Sequence, residues 1–519
     1  MKKKEKGVSR RDFVKKTAVA AAAFTVVPRH VLGGKGYTAP SDKLNIAGIG
    51  IGNKGLDNLM GMESENIVAL ADVDWTYSAR VFNRYPNAKK YKDYRKMFDE
   101  LGKSIDAVMV ATPDHTHAIA GADAMTLGKH VYVQKPLTHS VYESRLLTKL
   151  SEKYNVATQM GNQGSSIDDL NLMVEWLQNN EIGEITKIES FTNRPIWPQG
   201  LNIPKPAIVP SGLNWDLFLG PAKYRPYSPA YTPWAWRGWW DFGTGALGDM
   251  ACHVLHPAFV ALELKYPTKI QGSSTKLMLE SAPTAEKVQM IFPERTPSKG
   301  NKMKLPEVEI NWYDGGLKPF LPKGWTDGDN IQYNGGGTIF YGTKDTLICG
   351  SFGSKPRLLS GRVPKPTNKR RRVPAITYAE LRAKYNLNTP IFPDKDYMLV
   401  SHEQDWIRAC KESPENRVQP ASPFSEAGPF NEMVVMGVMA TRLQGLNRIL
   451  DWDGDNMQFT NIKDDEVLHF IKNDNFVTFT DRKPSFSKEW SDAINAKQFA
   501  AEMVRHTYRK GWKLPDMPA

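Results

Sequence analysis

The chain has only three cysteines in 519 residues, Cys252, Cys349 and Cys410. Their wide spacing excludes a disulfide framework and a cysteine-built zinc centre, and it leaves the compartment open. Past residue 35 there is no apolar run of about 18 residues, so the body offers no transmembrane helix and reads as soluble. A surplus of one charge is missing there as well. The formal net charge is +12, but residues 1–35 hold ten basic groups against Glu5 and Asp12. About +4 remains for the other 484 residues. That excludes the strong positive field of a nucleic-acid-binding surface, and Lys369-Arg370-Arg371-Arg372 reads as a solvated loop. An apolar content of 41% supports large cores and two or three domains.

The first 35 residues read as an address. Ser9-Arg10-Arg11-Asp12-Phe13 precedes an apolar stretch of about eleven residues ending at Val27, too short at 1.5 Å per residue to cross a layer about 30 Å thick. The segment resembles a bacterial twin-arginine signal, which exports folded proteins and implies a periplasmic location. An ordinary basic leader and a retained anchor are the alternatives. No Ala-x-Ala triplet precedes Gly33, so removal near residues 30–36 and retention both stay open.

Leu44 to Ile49 is a short apolar strand that runs into Gly50-Ile51-Gly52-Asn53-Lys54-Gly55 and then a helical stretch through Met60. Gly50 permits a tight turn, Gly52 lets a pyrophosphate approach the backbone, and Gly55 lets the helix pack closely. A second strand, Ile67 to Ala71, ends at Asp72, placed to accept from both hydroxyls of an adenosine ribose. That carboxylate repels a 2′-phosphate and favours NAD over NADP, with Asn53 and Lys54 beside the turn as the contrary signal. Further helices at Thr76 to Arg84 and His115 to Thr126 alternate with strands at Ile105 to Ala111 and Val131 to Val133. This pattern predicts a doubly wound parallel sheet with ligands at the carboxyl ends of its strands. Two loops lie there, Thr112-Pro113-Asp114-His115-Thr116-His117 and Gln134-Lys135-Pro136. His117 is either a cofactor contact or a packed helix-cap histidine.

These residues together resemble the Gfo/Idh/MocA oxidoreductases, which act largely on sugars, inositols and related polyols. The resemblance implies that Lys135, before proline, lies near substrate and nicotinamide. The family usually has glutamate where this chain has Gln134, one charge fewer. Gly243 to His253 resembles the family's glycine-rich turn into a helix, with Asp249 and His253 as the matching pair.

A spacing of four also puts Asp249 and His253 on one helix face. A carboxylate there can orient an imidazole, and histidine exchanges protons near neutral pH. Removing hydride from a secondary alcohol requires a base for the O–H proton. His253 is therefore expected as acid/base, Asp249 as its orienting partner or a hydroxyl ligand, and Lys135 as the group polarising the reacting oxygen; Lys135 and His253 could exchange roles. Six of the fourteen tryptophans lie between residues 190 and 240. Aromatic faces beside charged groups suit a pyranose, and Arg194, Trp197, Trp234 and Arg237 are the candidate substrate contacts. The same cluster could instead be core or an oligomer contact.

The expected organisation is a signal segment over 1–35, a dinucleotide-binding domain over 43–165, a substrate domain over 166–450 and an extension over 451–519. In the substrate domain, strands are expected at 184–192, 270–279, 288–291, 308–313, 337–341 and 346–349, forming an open, mostly antiparallel sheet with helices on one side, as the resemblance also implies. Polar stretches at 295–305 and 314–334 read as loops. Helices follow at 402–410 and 430–443. The extension carries apolar segments at 468–471 and 476–479 and a polar helix near 493–508; it covers the substrate domain or a partner subunit, and a homo-oligomer is expected. The leading function is NAD-dependent oxidation or reduction of a sugar or glycoside hydroxyl. The second is a glycosidase that transiently oxidises a ring carbon, eliminates the aglycone and reduces the carbon back. The third is an exported, non-enzymatic carbohydrate-binding protein.

Overall fold

The computed structural model describes residues 42–325, 335–366, 373–387, 389 and 392–518. The signal segment 1–35, the basic run Lys369–Arg372 and residues 326–334 of the second polar loop lie outside them.

Short apolar runs flanked by helices build the first sheet. Its strands are β1 (Asn45–Ile49), β2 (Asn66–Ala71), β3 (Lys89–Tyr91), β4 (Ala107–Val110), β5 (His130–Val133) and β6 (Thr158–Met160). They stand in the order β3-β2-β1-β4-β5-β6, and every pairing is parallel. Helices α1 (Lys54–Gly61), α2 (His117–Thr126) and α3 (Val141–Tyr154) lie against this sheet. Both faces are covered, which is why β4 is apolar and buried at every position. The strand order reverses at β1, so a crevice opens beyond the carboxyl ends of β1 and β4.

Two helices begin later than the sequence suggests. The stretch from Thr76 becomes a turn because Asp74 Oδ1 accepts from the amides of Thr76 and Tyr77 at 3.1 and 3.0 Å, and the helix proper is Ala79–Arg84. Before α2, Asp114–Thr116 forms a single 3₁₀ turn.

The second sheet contains β7 (Ile185–Thr192), β8 (Lys269–Ser274), β9 (Glu286–Phe292), β10 (Val308–Tyr313), β11 (Gly336–Gly342), β12 (Thr346–Gly350), β13 (Arg357–Leu358), β14 (Leu450–Asp453) and β15 (Gln458–Phe459). Their order is β13-β12-β11-β7-β10-β9-β8-β14-β15. All neighbours are antiparallel except β7 and β10. Two helices frame this domain, α4 (Gly245–Val254) and, further along the chain, α6 (Phe424–Arg442), which contains Pro429. A reading that starts the helix after that proline loses its first turns. Between them in sequence, α5 (Ser401–Lys411) returns to the first sheet: its Trp406 is buried with Ile46, Met109 and Tyr132, although it falls within 166–450.

The extension folds onto its own chain. Helix α7 (Ala496–Val504) is capped by Asn495, whose side chain accepts from Gln498 N, and its Met503 and Val504 join the main core. Of the apolar segments expected at 468–471 and 476–479, Leu468 ends a short strand of its own, Val467–Leu468, while Ile471 and the second segment lie in one strand, Ile471–Thr480, paired with an exposed partner, Lys483–Trp490.

Two acids share the interior of the second sheet. Glu286 and Asp314 are 2% and 1% exposed, and Asp314 Oδ1 accepts from Glu286 N at 2.8 Å. Burial pushes the Glu286 carboxyl up to about 7, and burial together with the Glu286 charge pushes Asp314 well above its ordinary range. A folded-state pKa above the unfolded one means that stability is lost as pH rises between the ordinary carboxyl value and about 7. The stability of the parent relative to Glu286→Gln is therefore expected to decline from pH 5 to pH 8, whatever the other titrating groups add to both proteins. Parallel pH slopes in thermal melts of the two proteins would refute it.

Candidate active site

The crevice beyond β1 and β4 continues toward α4 as a cleft of about 510 Å³. It collects thirteen of the residues singled out from sequence: Gly50, Gly52, Asn53, Asp72, Thr112, Pro113, Lys135, Arg194, Trp197, Trp234, Arg237, Asp249 and His253.

At one end is the turn from β1 into α1. Gly50 has φ +72°, and a Cβ there would lie 2.7 Å from the Thr112 backbone nitrogen. Asn53, also at positive φ, makes no side-chain cap to α1, so the helix N-terminus stays open to an anion. Gly55 does not line the cleft; it brings α1 against the turn, where a Cβ would sit 2.2 Å from Gly50 O. At the end of β2, Asp72 Oδ2 accepts from Ile51 N and Oδ1 from Asp74 N, both at 2.9 Å. Burial raises the Asp72 pKa, and these amides oppose that shift. A bare turn, an open helix end and a braced carboxylate fit the pyrophosphate and ribose of a dinucleotide. Lys54 also lines the cleft: with Gln163 oriented so that its amide donates to Gly161 O, the Gln163 oxygen accepts from Lys54 Nζ at 3.1 Å.

At the other end, Lys135 follows β5 and Asp249 sits on α4. Lys135 Nζ donates to the Asp249 carboxylate and, at 3.2 Å, to Asp249 O. Arg237 Nε lies 3.2 Å from the same carboxylate, and its Nη1 donates to Asp114 Oδ1 at 3.1 Å. Burial alone would raise the Asp249 pKa, but the Lys135 and Arg237 charges outweigh it and hold the group ionised. Asp114 also accepts from Thr244 N and Oγ1 at 3.1 and 2.7 Å, which hangs the start of α4 on the loop after β4.

Two expected roles change. Asp249 makes no hydrogen bond to His253 among the described residues, because Lys135 and Arg237, arriving from other elements, occupy its carboxylate. His253 instead meets the Phe352 ring edge-on at 4.7 Å, and its buried Nδ1 has no hydrogen-bond partner. Burial and the nearby Lys135 charge hold its pKa well below the ordinary imidazole value, so the ring is neutral. His117, unlike His253, does not line the cleft. It is 1% exposed, with Nδ1 2.7 Å from Pro136 O and Nε2 2.8 Å from Thr112 O, and so fastens the two loops to each other.

The tryptophans divide between wall and core. Trp197, Trp234 and Trp236 line the cleft, and the Arg237 guanidinium stands 4.2 Å over the Trp236 ring. Trp215 and Trp239 belong to a separate buried cluster with Phe218 and Phe242, and Trp240 lies in the main core. Sequence reasoning missed Tyr77, Lys92, Gln163, Phe352 and Trp512, all of which line the cleft. Only Gln163, within Gly161-Asn162-Gln163-Gly164 just past β6, carried a local signal, a glycine-bracketed loop at a strand's carboxyl end. Gln134, where an acid was expected by resemblance, turns inward and donates to Asn58 Oδ1 at 2.8 Å; Asn58 in turn donates to the buried Glu403 of α5 at 2.7 Å.

Fold and site together define a Rossmann-type NAD-binding protein. The family descriptions that match the chain agree: "Oxidoreductase family, NAD-binding Rossmann fold" over residues 43–162 and "Oxidoreductase family, C-terminal alpha/beta domain" over residues 172–294. These two regions, together just under half of the chain, match the Gfo/Idh/MocA oxidoreductase family, the first as its NAD-binding domain. Among curated relatives, levoglucosan dehydrogenase of Pseudarthrobacter phenanthrenivorans is 24% identical over 189 residues, 36% of this chain and 40% of that protein. Glycosyl hydrolase family 109 protein 1 of Akkermansia muciniphila is 29% identical over 131 residues, 23% of this chain and 27% of that protein. The chain spans less than half the length of these relatives. An inositol dehydrogenase homolog of Azotobacter vinelandii, solved with NADH and myo-inositol, shares the fold with a TM-score of 0.50 at 15% identity, covering 79% of this chain and 98% of that one.

Proposed function

We propose that the protein transfers hydride between NAD and a secondary hydroxyl of a sugar or glycoside. One observation carries this reading: Lys135, Asp249 and His253 stand in the same cleft as the dinucleotide turn and a wall of Trp197, Trp234 and Trp236. NAD, when bound, supplies the hydride acceptor. The chain supplies the rest. Neutral His253 takes the hydroxyl proton in oxidation and returns it in reduction. Lys135, held by Asp249, donates a hydrogen bond to the reacting oxygen and stabilises negative charge developing on it. Asp249 acts through Lys135 and is thus a positioning residue. The tryptophan faces stack on apolar patches of the ring, with Arg194 available to its hydroxyls.

The second reading is a glycosidase in which the same hydroxyl is oxidised, the adjacent C–H loses a proton, the aglycone leaves, water adds and the carbon is reduced back. Similarity to a family 109 glycosyl hydrolase favours keeping it. Export of the folded protein to the periplasm by the twin-arginine segment would suit a cofactor recycled in place. No helix among the described residues is long and apolar enough to cross a membrane.

A panel of sugars and chromogenic glycosides separates the readings. NADH absorbance with a free sugar supports the dehydrogenase, whereas aglycone release without net NADH supports the glycosidase. Absence of any nicotinamide nucleotide binding would sink both. Under either reading His253→Ala is expected to lower turnover at least about a hundredfold with cofactor content intact. Since the His253 pKa lies well below about 6.5, parent kcat/KM in oxidation should stay level from pH 8 down through pH 6.5. A drop centred on pH 6.5 would contradict a neutral, depressed His253.

A further inference from the structure

The nucleotide end of the cleft has a wall that belongs to neither domain. After α7 the chain runs back along both domains: Tyr508 OH donates to Glu143 Oε1 of the first at 2.7 Å, and Arg509 N donates to Pro221 O of the second at 3.0 Å. Trp512, three residues on, lines the same cleft as Asp72 and Lys92. Its ring is held from behind. The Arg95 guanidinium stacks over it at 4.1 Å, while Arg95 Nη2 donates to Asp93 Oδ2 at 2.7 Å. Tyr94 meets it at 6.5 Å between ring centroids, and Leu514 and Met517 beyond it pack on the main core.

We infer that Trp512 is an adenine-binding residue: the C-terminal segment carries a planar aromatic wall to the adenosine side of the nucleotide site and slows release of the dinucleotide. The inference rests on the NAD reading above and adds the residue that grips the end of the cofactor remote from the chemistry. Three observations support it. The ring lines the cleft together with Lys92, Asp93 and Tyr94, which follow β3, the neighbour of the strand that ends at Asp72. Its segment is tied down on both sides of position 512, by Arg509 before it and by Leu514 and Met517 after it. An indole braced by a guanidinium is rigid in advance, so stacking an adenine on it costs little ordering entropy.

The test uses full-length protein and two reduced nucleotides, NADH and reduced nicotinamide mononucleotide, which lacks the adenosine. Trp512→Ala is expected to weaken NADH binding about tenfold, mainly through faster dissociation in a stopped-flow chase, and to leave the mononucleotide unaffected. Trp512→Phe should recover most of the NADH affinity, because a flat ring remains. NADH affinity within twofold of the parent in Trp512→Ala would overturn the inference while leaving the oxidoreductase reading intact. So would equal weakening of both nucleotides, which would mark a purely structural role. If the parent binds neither nucleotide, the oxidoreductase reading fails and this inference with it.

Discussion

Gly52→Val is expected to yield a folded protein that no longer retains NAD. A Cβ at position 52 would lie 2.4 and 2.6 Å from two ring carbons of Tyr77, and Tyr77 is 39% exposed. The clash is with the far part of a side chain that can swing into solvent, so the fold has little to lose. The nucleotide site has much more to lose. A branched side chain at the mouth of α1 would hold the pyrophosphate away from the backbone that should receive it, and charge-assisted hydrogen bonds of that kind contribute roughly 1.5–3 kcal/mol each. Losing two of them corresponds to about a hundredfold or more in affinity. Gly50→Val makes the contrasting control. Position 50 has φ +72°, and its Cβ would press on Thr112 and Ala111 backbone that cannot swing aside. That variant should lose thermal stability as well as cofactor. Calorimetry of NADH binding beside thermal melts distinguishes them: unaltered NADH affinity in Gly52→Val would remove that turn from the cofactor site.

That contrast also marks what local sequence can and cannot convey. The strands β1, β2, β4 and β5 are legible because parallel strands covered on both faces must be apolar throughout, and Gly50, Gly52 and Asp72 because spacing along one chain segment fixes their chemistry. Strand β6, Thr158–Met160, has three residues and a polar middle, and the strand Lys483–Trp490 is exposed at every position, so neither has an apolar pattern to read. Long-range placement is illegible for another reason. Helical spacing puts Asp249 beside His253, yet it says nothing of Lys135 and Arg237, which reach the same carboxylate from distant parts of the chain. The spacing of His117 from Thr112 likewise cannot say that its ring turns inward to Pro136 O. Trp512 is further still from any motif, and only the fold of the tail brings it to the cleft.

The Asp249 cluster carries the other large effect. Lys135, Arg237 and Asp249 have side chains 13%, 16% and 10% exposed, so two cations share one carboxylate in a nearly dry site. Asp249→Asn leaves both cations without it. Removing one partner of a buried pair costs about 3–5 kcal/mol, because the remaining charge stays desolvated. Lys135 would then be held only by the Asp249 backbone oxygen, and with its ammonium displaced from the reacting oxygen kcat/KM is expected to fall by about a thousandfold. A double-mutant cycle tests the coupling: Lys135→Met made in the Asp249→Asn background should restore part of the lost stability, with an interaction energy above about 1 kcal/mol, while activity stays lost. The pH dependence has a defined sign. The folded-state pKa of Asp249 lies below its ordinary value, so its contribution to stability is present in full above the ordinary aspartate range and is lost only as pH falls through that range toward the folded value. The difference in stability between parent and Asp249→Asn should therefore be constant from pH 8 to about pH 5 and shrink below about pH 4. A difference that grew on acidification would mean that Lys135 and Asp249 are not an ion pair in the folded protein.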